Sequence, residues 1–72
     1  MAQFIINKKQ QASGDYEIHN RTTGCAHLPE QENQVNLGYY PGCKEAVEAA
    51  KSKWPGKVII GCYYCANSCH ES

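Results

Sequence analysis

No basic run interrupts this chain: seven Lys and Arg are balanced by seven Asp and Glu, for a formal net charge of zero. Proteins that grip duplex nucleic acid draw much of their affinity from Lys and Arg neutralising phosphates, and they show a basic patch. Lys8, Lys9 and Arg21 are too few to make one, and Lys44, Lys51 and Lys53 share a stretch with Glu45 and Glu48. Nucleic acid is therefore not an expected partner. Long apolar runs are missing as well. No stretch approaches the ~20 residues of a membrane span, so no membrane association is expected. The opening Met-Ala-Gln-Phe-Ile-Ile-Asn holds a three-residue apolar run, far short of a signal-peptide core. The expectation is a cytoplasmic chain with reduced thiols, a setting in which cysteine patterns read as metal sites before disulfides. A phosphate loop, a paired-carboxylate motif and a nucleophile–base spacing are also missing, so no enzyme is expected.

Large apolar residues are scarce. The core candidates are Phe4, Ile5, Ile6, Ile18, Leu28, Val35, Leu37, Val47, Trp54, Val58, Ile59 and Ile60. Seventy-two residues, 1–72, make one domain. A domain this small buries only ~60% of its unfolded surface, and scaffolds of this size usually add a metal or disulfides.

Cysteine is what the chain has in excess: five in 72 residues. Three of them, with a histidine, fall within Cys62-Tyr63-Tyr64-Cys65-Ala66-Asn67-Ser68-Cys69-His70. A Cys-x-x-Cys turn places two sulfurs at two corners of a zinc tetrahedron. If the segment is helical after Cys62, Cys65 and Cys69 share one face. Cys25 follows a glycine at a turn, a usual setting for a ligand on a loop. The expected ligand set is Cys25, Cys62, Cys65 and Cys69 around a structural Zn2+, with Cys43 spare. Cys43, His19 and His70 stand as alternatives to Cys69 as the fourth ligand. His19 alternates with Ile18 on its strand, which predicts a solvent-facing side chain. His27 and His70 sit too close in sequence to Cys25 and Cys69 to be expected as ligands beside them. A strand feeding Cys-x-x-Cys also describes a redox dithiol, but only seven residues follow Cys65, where that arrangement continues with a long helix and further strands.

The rest reads as a small α+β domain with a short antiparallel sheet and one main helix. Residues 3–7 form a β-type run. Residues 15–19 alternate and can pair with them as a hairpin. Residues 26–36 read as irregular, with Pro29 and the polar run 30–34 marking an exposed loop, and 35–40 can form a short strand. Residues 43–54 are Ala-, Glu- and Lys-rich, closed by Pro55-Gly56, and predict the main helix, with Val47, Ala50 and Trp54 as its apolar stripe. Residues 57–60 are a buried-type strand leading into Gly61 and Cys62, and a short helical turn ends the chain.

Four segments together, Arg21-Thr22-Thr23-Gly24-Cys25, Asn36-Leu37-Gly38-Tyr39-Tyr40, Glu45-Ala46-Val47 and Gly61-Cys62-Tyr63-Tyr64-Cys65, resemble the zinc-binding domains of the Ada DNA-repair family. The resemblance covers about residues 15–67. It implies a small α/β zinc domain with Cys25, Cys62 and Cys65 as three ligands. Pro29 stands where that family carries a second cysteine four residues after the first, so the fourth ligand comes from elsewhere. The expected function is a monomeric, non-catalytic binding or accessory module for a protein partner. A thiol enzyme or methyl acceptor using a reactive cysteine is the alternative.

Overall fold

The computed structural model describes residues 1–70. Among them the chain forms β1 (Ala2–Asn7), β2 (Asp15–Asn20), β3 (Gln34–Tyr40), α1 (Cys43–Lys53) and β4 (Val58–Gly61), with 3-10 turns at Gln31–Asn33 and Asn67–Cys69. This is a small α+β domain. The four strands make one sheet in the order β3-β1-β2-β4.

β1 pairs antiparallel with β2 and with β3, and β4 adds parallel to β2. The sheet is therefore mixed rather than antiparallel throughout. Parallel pairing requires a crossover, and β3 and α1 supply it by carrying the chain from one end of the sheet to the other. Gly42 caps α1, Glu45 lies in its first turn and Lys51 and Lys53 in its last, a charge order that complements the helix dipole. At the far end the Trp54 amide still bonds the Ala50 carbonyl, and Pro55 prevents continuation.

Alternation along each strand sends side chains to two faces. On one face Phe4, Ile6, Ile18, Leu37 and Ile59 pack against Cys43, Ala46 and Ala50 of α1. The helix thus buries its smallest residues, and its backbone lies close to the sheet. Val47 and Trp54 are only half-buried beside them. Val58, expected in the core, is 57% exposed. The opposite face carries Ile5, Glu17, His19, Ile60 and Cys62. Ile5 lies opposite His19, and Glu17 opposite Ile60. Ile5, His19, Ile60 and Cys62 are all buried although α1 is on the other side. On that side lie the connection from β2 to β3, residues 21–33, with Arg21 and Gln31 beside Ile5 and Cys25 beside Cys62, and Cys65 beside His19. Hydrogen bonds from the Arg21 amide to the Gln3 carbonyl and from the Lys8 amide to the Asn33 carbonyl fix the two ends of the loop. No helix among the described residues is long and apolar enough to cross a membrane.

Candidate metal centre

Three pieces of chain meet at the end of the loop-covered face where β2 and β4 finish. β2 delivers His19. The turn after it delivers Cys25, through Gly24 at φ +77°, a left-handed conformation that a side chain at this position would strain. β4 delivers Cys62, whose amide donates to the Ile18 carbonyl and so prolongs the β2–β4 pairing by one residue. The chain then turns back, the Ala66 amide bonding the Cys62 carbonyl at 2.8 Å, and brings Cys65 to the same point.

The four ligand atoms of His19, Cys25, Cys62 and Cys65 all lie within 4.8 Å of one another. Cys25 Sγ is 3.8 Å from Cys62 Sγ, and Cys65 Sγ is 3.6 Å from His19 Nδ1. A tetrahedral ion with metal–sulfur bonds of about 2.3 Å and metal–nitrogen bonds of about 2.0–2.1 Å would hold its donors about 3.8 Å (S to S) and about 3.6 Å (S to N) apart. The group can therefore hold one metal ion.

Each thiol also accepts a backbone N–H. Asn20 donates to Cys65 Sγ at 3.3 Å, His27 to Cys25 at 3.4 Å and Tyr64 to Cys62 at 3.4 Å. Such bonds favour the ionised sulfur. Without a cation they are outweighed at Cys65: burial, then the neighbouring thiols of Cys25 and Cys62, pushes its pKa up to about 12 despite the Asn20 amide. A bound cation reverses that balance, because a coordinating thiol is deprotonated outright.

His19 is fully buried. Burial first, and His27 second, lower its pKa and hold it neutral, the form that ligates metals. With Nδ1 facing Cys65, Nε2 points the other way. Glu17 Oε1 lies 3.1 Å from it, but at an angle too poor for a hydrogen bond, and Nε2 has no other polar partner. Glu17 itself is half-buried. Burial, then the nearby Asp15, raises its pKa.

Cys25, Cys62 and Cys65 thus come together, and Cys69 does not join them. Cys69 is disulfide-bonded to Cys43, with a Cα–Cα distance of 6.3 Å. The segment after Cys62 is not the α-helix that would align Cys65 with Cys69. Ala66, at φ −142° and ψ 46°, breaks it, and a 3-10 turn follows. The break turns Cys69 toward the helix-covered face, above Gly61. A Cβ on Gly61 would lie 2.5 Å from the Ala66 carbonyl oxygen and 2.7 Å from Cys69 Cβ, so only glycine admits this fold-back. Cys43, expected to be spare, is the partner that holds it.

His19 takes the fourth place, against the expectation of a solvent-facing side chain. The signal for it lay in the neighbouring strands. Phe4-Ile5-Ile6 and Val58-Ile59-Ile60 are apolar without alternation, as strands covered on both faces are. β2 lies between them, so its second face is covered too. His27 and His70 stay outside the cluster. His27 stacks on Tyr64 with ring centroids 4.1 Å apart, and His70 Nδ1 is 3.2 Å from the Gly61 carbonyl oxygen.

No family model, no curated protein and no solved structure matches this chain.

Proposed function

We propose that the chain is a structural zinc module: His19, Cys25, Cys62 and Cys65 bind one Zn2+, and the folded domain serves as a non-catalytic binding or accessory unit for a protein partner. The observation that carries this reading is the donor spacing, 3.8 Å between Cys25 and Cys62 sulfurs and 3.6 Å between Cys65 Sγ and His19 Nδ1. Three soft thiolates with one imidazole favour zinc over hard cations. Four protein donors close the tetrahedron and leave no position for a reactive water. The backbone N–H bond to each sulfur also speaks against a methyl-accepting thiolate, because charge shared with an amide is withdrawn from nucleophilic attack. The likeness to Ada-type domains enters this proposal through Cys25, Cys62 and Cys65 alone, with His19 in place of the second family cysteine. A monomer is proposed; the cytoplasm expected for it suits the free thiols Cys25, Cys62 and Cys65, whereas the Cys43–Cys69 disulfide departs from the expectation of reduced thiols and is of a kind rare there.

Cobalt substitution tests the reading. One equivalent of Co2+ should bind with the intense visible bands of a tetrahedral site and the charge-transfer absorption of three thiolates. His19→Ala should weaken and shift those bands, whereas Cys69→Ser should leave them unchanged. Bands that survive His19→Ala unaltered but are lost in Cys69→Ser would defeat the ligand set.

A further inference from the structure

The end of the sheet opposite the cysteines gathers the lysines. β1 ends there, β2 and β4 begin there, and α1 finishes there. Lys8 and Lys9 follow β1, Lys51 and Lys53 lie in the last turn of α1, and Lys57 precedes β4. Five of the seven basic residues of a chain with no net charge therefore sit at one end. The acid nearest this end in the sheet, Asp15, is engaged by Gln11 Nε2 and by Ser13 Oγ.

A cavity of about 190 Å³ opens among them. Ile6, Tyr16, Val35 and Trp54 give it apolar walls, Lys8 and Lys57 line it too, and among the described residues no carboxylate does. Lys57 is held in place: its Nζ donates to Tyr16 Oη at 3.1 Å and lies 4.3 Å from the Tyr16 ring centroid. An ammonium has three N–H donors. Tyr16 takes one, and two are left for a ligand. A buried apolar cavity of about 150 Å³ accepts benzene, so this one has room for a single six-membered ring and a small anionic group.

We propose that this cavity binds a monocyclic aromatic carboxylate, its ring against Ile6, Val35 and Trp54 and its carboxylate on Lys57 Nζ. Apolar walls select the ring, and two cations with no facing anion select the charge. The site lies at the other end of the sheet and shares no residue with the metal centre.

The test is an NMR titration of the metal-loaded protein with benzoate, benzyl alcohol and benzylamine, which share the ring and differ in charge. Benzoate should give saturable shifts at the Trp54 indole N–H and the Ile6 and Val35 methyls. Benzyl alcohol should bind several-fold more weakly, and benzylamine not at all. Lys57 is exposed, so Lys57→Gln should fold as before, which retained amide dispersion verifies. It should weaken benzoate about three- to tenfold, a charge-assisted hydrogen bond discounted for solvent screening. Lys57→Arg should restore most of the loss, and benzyl alcohol should be indifferent to both changes. Benzylamine binding as well as benzoate, shifts confined to Tyr63 and Tyr64, or no shift with millimolar benzoate would each overturn the proposal.

Discussion

The two faces of the sheet are closed by different physics. Against α1 lie Phe4, Ile6, Ile18, Leu37 and Ile59, with the alanines of the helix filling the gaps; burial of apolar area holds that side together. Under residues 21–33 the sheet offers two buried isoleucines, Ile5 and Ile60, beside His19 and Cys62. Residues 21–33 form no strand, and their one regular piece is the 3-10 turn Gln31–Asn33. Two buried isoleucines contribute about 3–6 kcal/mol, whereas ordering thirteen backbone positions costs roughly 13–26 kcal/mol. A thiolate metal site, worth about 10–16 kcal/mol in small zinc peptides, closes most of that difference. The helix side is therefore a small hydrophobic core, and the loop side, on the proposed metal reading, would be a cross-link with little core beneath it.

Removing the metal is the strongest way to break the comparison. A chelator, or Cys62→Ser, should release residues 21–33 and the turn from Cys62 to Cys65, because a few hydrogen bonds at the two ends of the loop and within the turn are all that remain to hold them. The loss exceeds the total stability of an ordinary small domain, so the helix side should unfold with them. In a two-dimensional NMR spectrum the amide dispersion should collapse. A dispersed spectrum from protein shown to be free of metal would mean that the loop side carries its own stability after all.

Much of this arrangement was legible in the residues. An Ala-, Glu- and Lys-rich run stopped at Pro55-Gly56 marks α1, alternation at Tyr16 and Ile18 marks β2, and Cys62-x-x-Cys65 marks two thiols of the candidate metal cluster. What stayed hidden depends on contacts distant in sequence. Whether β4 adds parallel beside β2 is decided by the path of the crossover, which no local pattern encodes. His19 looked solvent-facing because Glu17 and His19 share a polar face within β2. Only the neighbouring strands and the overlying loop make that face an interior. Cys69 looked like a ligand because four-residue spacing aligns side chains on a helix, and the break at Ala66 removes that alignment.

The disulfide offers a smaller and more selective break. Cys43–Cys69 spans 26 residues, and closing a loop of that length is worth about 3–4 kcal/mol in the chain-entropy account. It ties the last turn of the described chain to the start of α1, on the helix side. Replacing both cysteines by serine should lower the melting temperature by roughly 15–30 °C, at about 4–8 °C per kcal/mol for a domain of this size. Metal content should not change, because neither sulfur belongs to the cluster. A thiol count on metal-free, denatured, unreduced protein should give three, from Cys25, Cys62 and Cys65, and five after reduction. Loss of metal in the double variant would show that the disulfide also holds the metal site in shape.

The finest test concerns how the loop side is tuned. A metal-bound imidazole usually passes its other N–H to a carboxylate or carbonyl, which fixes the ring and raises its basicity. His19 Nε2 has one polar atom near it, Glu17 Oε1 at 3.1 Å, poorly aligned. Once the ring is protonated at Nε2 and ligated through Nδ1, a small rotation of Glu17 suffices to align the pair. Its pKa is raised by burial and by Asp15, so an N–H donor from His19 gives this carboxylate the partner it lacks. Glu17→Ala should then weaken metal binding by about tenfold, the lower end of the 10–100-fold range for such partners. Glu17→Gln, which keeps a carbonyl acceptor, should recover part of that loss. Competition with a chromophoric zinc chelator measures both variants. Equal affinity in Glu17→Ala and the parent chain would show that His19 is oriented by the burial of its ring alone.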